Sequence, residues 1–420
     1  METPVPRKSQ LEWPNLPENL LLDIQKAAQQ AGINGLAVVG GAVRDGLLKT
    51  SGKGSLESSK DLDLVVEGSA SHLAAALQES LDPKRFTTVR VHDLYNTVEI
   101  NIDGFPVDLA TARIEKYAAP GHNPQITPCI LEEDLLRRDF TINAMAIELS
   151  NMRLIDPHGG KAAIEKRELH FLHSKSVQDD PTRIIRAARY SARLLFVLTP
   201  DSLKQIQSTI RNWPWEWRHN DSWHIAPPAL ATRLRLELEL LLTQEPWEKA
   251  LSTLQSWGGF LLFDRGLQSD QNWNRRLRWA SRMQIDLLTA FLIGAEDPEA
   301  LAARLQLSKQ QQLLITQNIE IHKFLSAFSV KNEYLSWPPS KWCNEIENAN
   351  WHPDAVALSI CNGIKIWRPL LKWWSRWRLI KSPISGKELI KQGWNSGPAL
   401  GKELKRLRDK KLDKHLTQIK

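Results

Sequence analysis

Leu36-Ala37-Val38-Val39-Gly40-Gly41-Ala42-Val43-Arg44-Asp45, followed after a linker by Asp61-Leu62-Asp63-Leu64-Val65-Val66, decides the fold of the first third of this chain. The apolar run at 36–39 reads as a buried strand, and the residues after the two glycines read as the start of a helix. Glycine tolerates the tight turn and lets backbone approach a ligand, while the first N–H groups of a helix face an anion. That combination grips phosphate. Asp61 and Asp63 head a second apolar run, where residues two apart share one face of a strand. Two carboxylates on one face repel unless a cation lies between them. The expected ion is Mg²⁺, which takes one or two carboxylates plus substrate phosphates. Either motif alone is common. Together, in this order, they imply nucleotidyl transfer.

A third element follows. Residues 97–102 alternate apolar and polar, a turn falls at Asp103-Gly104, and 105–110 form a second strand. Asp108 in that strand offers a third carboxylate, ranked below Asp61 and Asp63 because strand-end acids also serve as caps. Further on stand Arg137-Arg138-Asp139-Phe140-Thr141-Ile142-Asn143-Ala144, a turn at Asp156-Pro157-His158-Gly159-Gly160, and Asp179-Asp180-Pro181-Thr182-Arg183-Ile184-Ile185-Arg186-Ala187-Ala188-Arg189-Tyr190.

This series of motifs, between residues 36 and 195, resembles the bacterial-type tRNA nucleotidyltransferase/poly(A) polymerase family, whose head is related to DNA polymerase beta. The resemblance implies an α/β nucleotidyltransferase head followed by an all-α neck, body and tail. It implies that Asp61 and Asp63 hold Mg²⁺, that Gly40, Gly41, Arg44 and Arg138 contact the incoming nucleotide, and that Asp180 and Arg183 read its base. Arg186 and Arg189 would complete the nucleotide contacts. Residue 179 is Asp where the family often has Glu, while Asp180 is kept. The spacing fits this physically, since arginines three apart lie close on a helix surface while Ile184, Ile185 and Ala188 pack the other side. Without the motifs upstream, a basic helix face reads as merely solvated.

At 420 residues the chain is long enough for several cores. The expected division is a head at 1–150, a neck at 151–215, a helical body at 216–380 and a basic tail at 381–420. Residues from about 20 to 35 fit a leading helix, and the Gly-, Ser- and Lys-rich stretch 50–60 fits a loop. Helical patterns run over 229–242 and 301–319, and the Trp/Pro-rich interval 212–228 fits the neck-to-body boundary. A net charge of +7 suits a polyanionic partner. Three cysteines without a C-x-x-C pair support neither a disulfide framework nor a cysteine zinc site. No signal core or long apolar run is present, so a cytoplasmic location without membrane contact is expected.

Tryptophan is abundant, with 17 residues. Most fit helix packing, and the basic run 372–378 is the best RNA-facing candidate among them. The tail, with Ile384-Ser385-Gly386-Lys387-Glu388-Leu389 and Gly393-Trp394-Asn395-Ser396-Gly397-Pro398-Ala399-Leu400-Gly401-Lys402, resembles the segment that ends many CCA-adding enzymes. Backbone amides there can hold RNA phosphates, with Lys387, Lys402, Lys405 and Arg406 adding charge. The resemblance thus implies addition of C and A to tRNA 3′ ends, with CTP and ATP as substrates. CC-only addition, A-only addition and poly(A) synthesis are the alternatives within the family. A small-molecule nucleotidyltransferase would not need the Arg-Arg-Asp segment, the 182–190 helix or a basic tail, and a dead homologue would be expected to have lost one of the paired aspartates.

Overall fold

The computed structural model describes residues 16–51, 61–92, 95–212, 228–329 and 333–414. Most of the expected 50–60 loop, and tryptophans 213, 215, 217 and 223, lie outside the described residues. The described chain divides into two compact units, one of residues 16–212 and 228–259, the other of residues 260–414.

The first unit is built on a seven-stranded sheet. Its elements begin with α1 (Leu20–Gln30), β1 (Gly35–Val39), α2 (Gly41–Thr50), β2 (Leu62–Glu67), α3 (Ala70–Ser80), β3 (Phe86–His92), β4 (Thr97–Ile102) and β5 (Phe105–Thr111). A small hairpin of β6 (Arg113–Lys116) and β7 (Gln125–Pro128) leads to α4 (Leu131–Leu136), and β8 (Ala146–Glu148) and β9 (Arg153–Ile155) complete the sheet. Strand order is β3-β4-β5-β2-β1-β8-β9. Within this sheet only β2 and β5 pair in parallel among the described residues, and that register puts Asp63 beside Asp108. The β4–β5 hairpin closes on Asp103 (φ 54°) and Gly104 (φ 80°), the two positive φ values that a tight hairpin turn demands. Burial follows the sequence patterns: the apolar run of β2 buries Leu62, Leu64, Val65 and Val66, and the alternating β4 buries Val98, Ile100 and Ile102.

Helices follow: α5 (Gly160–Lys166), α6 (Ser176–Asp179), α7 (Thr182–Leu194), α8 (Pro200–Arg211), α9 (Pro228–Gln244) and α10 (Trp247–Ser256). Here two expectations change. Helix α7 is buried nearly all round, Arg183 and Arg189 included, because α9 and α10 cover it. Those two helices pack with the head and neck, so the compact boundary falls at residue 259, well past the expected neck-to-body junction.

The second unit is helical: α11 (Arg265–Ser269), α12 (Trp273–Arg282), α13 (Leu287–Leu292), α14 (Pro298–Arg304), α15 (Lys309–Ser329), α16 (Pro339–Asn348), α17 (Pro353–Cys361), α18 (Trp367–Ser375), α19 (Gly386–Lys391) and α20 (Pro398–Lys414). The pattern read over 301–319 as one helix is two, broken where Gln306 turns left-handed (φ 54°). Trp273, Trp342, Trp351 and Trp373 are buried as packing residues. In the 372–378 run, Trp373 Nε1 donates to Glu347 at 3.4 Å, Lys372 lies over Trp377 and Arg378 over Trp374.

The tail is no separate body. Arg408 donates to both oxygens of Glu347 on α16 (2.6 and 2.7 Å) and to the Ile380 carbonyl, and Asp413 accepts from the backbone and hydroxyl of Ser340. With Leu412 buried, α20 is an integral part of this unit.

Candidate active site

The phosphate turn sits where β1 ends. Gly40 adopts φ 68°, ψ −129°, a backbone conformation that L side chains avoid, and caps α2. A Cβ at Gly40 would lie 3.3 Å from Asp63 Oδ2 and 3.4 Å from Arg138 Nη1. The glycine therefore lets the strand end, the Asp63 carboxylate and the Arg138 guanidinium converge. Gly40→Ala is expected to cost about 1–3 kcal/mol in backbone strain and to displace Asp63 or Arg138. A lowered unfolding temperature together with a raised nucleotide KM checks this.

Asp63 is half-buried on β2, Asp61 is exposed just before it, and Asp108 stands beside Asp63 on β5. Burial first, then the charge of Asp61, pushes the Asp63 carboxyl up to about 6. Burial and the charges of Asp61 and Glu99 raise Asp108 as well. Three carboxylates thus feel one another, and a cation would relieve them. Among the described residues no three ligand groups form a closed cation cage. An open set of carboxylates fits an ion that completes its shell with water and substrate phosphate.

The arginines divide into two groups. Arg138 and Arg137 both donate to Asp134, a fully buried carboxylate on α4 that also accepts from the backbone N–H of Arg113 (2.9–3.1 Å). Burial opposes ionisation of Asp134, yet Arg137 and Arg138 outweigh it and hold the carboxyl below its ordinary range. Arg186 donates to Asp139 (2.8 Å) and Glu237 (3.1 Å), and Arg183 to Ser176 and the Arg137 carbonyl. Asp139 is likewise held down, with the Arg186 charge and the Asn143 hydrogen bond overcoming burial.

These groups line a cavity of about 410 Å³ in the first unit. Gly40, Gly41, Asp63, Arg138, Asp180, Arg183 and Arg186 all reach its wall. Asp61, Asp108, Arg44 and Arg189 do not. Arg44 is buried behind the wall, with Nε on Asp45 (2.7 Å), Nη1 on Asn143 (2.7 Å) and its guanidinium over Tyr190. Arg189 is spent on Glu237 and Glu245 of the α9 region. Both arginines are thus paired within the protein, away from the cavity wall.

Sequence reading missed much of the wall. Tyr117, donating to Glu115 at 2.9 Å, comes from the residues after β6. Burial, with the charges of Glu115 and Asp180, raises its phenol well above the ordinary value. From α9 come Leu236, Glu237 and Arg233. Arg233 Nη1 lies 3.2 Å from Asp180 Oδ1 and Nη2 donates to the Gly121 carbonyl at 2.6 Å. Asp180 also accepts from the backbone and hydroxyl of Thr182. No motif flags α9. Its spacing of Arg233 and Glu237, i and i+4, is that of any charged helix face.

Such a head, with paired carboxylates beside a glycine turn and a cavity walled by arginines and carboxylates alike, fits a nucleotidyltransferase class of protein. The family model described as the poly A polymerase head domain matches residues 36–170. The CC-adding tRNA nucleotidyltransferase of Deinococcus radiodurans is 34% identical over 298 residues, covering 67% of this chain and 70% of that protein. The A-adding tRNA nucleotidyltransferase of Aquifex aeolicus is 40% identical over 179 residues, 41% of this chain and 20% of that longer protein. Among solved structures, a CCA-adding enzyme in an apo form superposes with a TM-score of 0.70 at 25% identity, over 95% of this chain and 93% of that one. The chain belongs to the tRNA nucleotidyltransferase/poly(A) polymerase family and is a transferase of nucleotidyl groups.

Proposed function

We propose that this enzyme adds C and A residues to the 3′ end of tRNA from CTP and ATP, using Mg²⁺ at Asp61 and Asp63. One observation supports it above the rest: a single cavity carries Asp63 and Gly40 together with Asp180 and Arg183. Gly40 and Gly41 offer backbone N–H groups to the phosphates, Arg138 and Arg186 bring positive charge, and Asp61 and Asp63 hold the ion. When bound, Mg²⁺ polarises the α-phosphate, favours deprotonation of the attacking 3′ hydroxyl and neutralises the departing pyrophosphate. Asp180 accepts from an exocyclic amino group, which C and A carry and U lacks. Arg183 supplies donors to the ring acceptors, so G and U leave polar groups unpaired. Asp180→Ala is expected to relax discrimination against UTP and GTP by about tenfold to a hundredfold while changing triphosphate affinity little. Competition between the four nucleotides in single-turnover assays checks this.

A second reading has its own support. A relative aligned over 67% of this chain is a CC-adding enzyme, so arrest after two C residues is the alternative outcome. One experiment separates them: tRNAs lacking CCA, CA or only the final A are incubated with CTP and ATP, singly and together. Full repair of all three supports CCA addition. Extension by CTP alone, stopping before A, assigns the partial activity.

Lys387, Lys402, Lys405 and Arg406 are exposed in the second unit, and Arg406 shares its charge with Glu403. They suit the tRNA backbone. Because α20 also packs the unit, charge reversal tests this better than truncation. The double change Lys402→Glu, Lys405→Glu is expected to raise the tRNA KM about tenfold. The slope of log affinity against log salt should flatten by about one for each phosphate no longer neutralised. Nucleotide KM and unfolding temperature should stay as they are.

A further inference from the structure

Tyr190, the last residue of the motif on α7, is the centre of an unusual gathering of cations. The guanidinium carbon of Arg44 lies 5.1 Å from its ring centroid, that of Arg193 5.5 Å and that of Arg186 5.9 Å. The edge of the same ring meets Phe140 of the Arg-Arg-Asp segment at 5.5 Å. One side chain therefore touches the helix behind the phosphate turn, the segment carrying Arg138, and the row of arginines on α7. It also reaches the cavity wall.

A ring face attracts a guanidinium without consuming any of its N–H donors. This matters for Arg186, the one cation of the three that lines the cavity. Asp139 takes its Nε and one proton of Nη2, and Glu237 takes one proton of Nη1. A guanidinium has five N–H donors, so donors on both terminal nitrogens are left for an incoming anion. Two carboxylates fix the edge of this guanidinium, and the ring fixes its plane. Arg44 and Arg193 are held elsewhere, by Asp45 and Asn143 and by Glu245, so the ring also ties α2 to α7 at a set spacing.

We propose that Tyr190 is a positioning residue for the triphosphate, acting through Arg186 and through the α2–α7 spacing. The inference rests on the reading of the cavity as a nucleoside triphosphate site. The ring face acts on Arg186, while the Tyr190 hydroxyl also hydrogen-bonds Arg44 and adds to the α2–α7 tie.

The test uses the full chain with Mg²⁺ and titrates CTP, ATP and inorganic tripolyphosphate by calorimetry. Tyr190→Leu, which keeps bulk and removes the π face, is expected to weaken all three by about tenfold, leaving the tRNA KM and the C/A preference unmoved. Tyr190→Phe should restore most of that loss. Tyr190→Met serves as a second apolar variant if the leucine chain unfolds at assay temperature. Wild-type affinity in a folded Leu or Met variant would overturn the inference, because the ring would then only pack. A Phe variant as weak as Leu would overturn it too, by assigning the effect to the hydroxyl. If the wild type binds none of the three ligands, the reading of the cavity itself has failed, which is a different result.

Discussion

Asp63→Asn is expected to remove nucleotide addition, lowering kcat about 10³-fold or more, the equivalent of several kcal/mol of charge stabilisation in the transition state. The same change should stabilise the metal-free protein. The Asp63 carboxyl is raised to about 6 by burial and by Asp61, so its ionised form burdens the fold. For a raised carboxyl, stability is complete below the ordinary value and is lost as pH rises through about 6. The gain from Asn therefore appears at pH 7, amounts to at most about 3 kcal/mol, and vanishes near pH 4. Mg²⁺ should raise the unfolding temperature of the wild type at pH 7 and much less at pH 5, where the protonated acid cannot ligate. Thermal melts at three pH values with and without Mg²⁺, together with single-turnover rates, check both halves. An Asn variant with near-normal turnover would remove Asp63 from the chemistry.

The second large effect belongs to a residue away from the cavity wall. Asp134→Ala would leave Arg137, Arg138 and the Arg113 N–H around a buried, empty position. Breaking a buried pair by deleting one partner costs about 3–5 kcal/mol, which should lower the unfolding temperature of the first unit by about 10 °C. Activity should also fall below what the remaining folded fraction explains, because Arg138 then lacks its anchor beside Gly40 and Asp63. Unfolding temperature and nucleotide KM, measured on one preparation, check this. An unchanged KM in the folded fraction would mean that Arg138 needs no such support.

The sequence was most legible where a local pattern and a chemical demand coincide. Gly40 is required by a backbone angle and by the closeness of Asp63, and Asp61 and Asp63 gained their weight from following that turn at the head of an apolar run. Asp108 was harder to rank, since its place beside Asp63 depends on the parallel β2–β5 pairing across intervening elements. Arg44 and Arg189 were read from motif membership as ligand contacts. Their partners, Asn143 in one case and Glu237 with Glu245 in the other, are remote in sequence and left no local sign. Arg233 and Tyr117 were missed for the same reason. The unit boundary moved to residue 259 because packing of α9 and α10 on α7 is a tertiary fact that composition does not carry.

The pairing of α7 with α9 also has a history within the life of each molecule. Synthesis delivers residues in order, and domains generally form from the N-terminus onward. Every strand of the large sheet, the last ending at Ile155, has been made before Glu237 and Glu245 exist. In that interval Arg189 and Arg193 lack their acidic partners from this later region. Arrival of α9 and its flank quenches that charge, and the same step supplies Arg233 to Asp180. The charge pairing of Arg189 and Arg193 and the Arg233–Asp180 contact thus both wait on the same late stretch of chain.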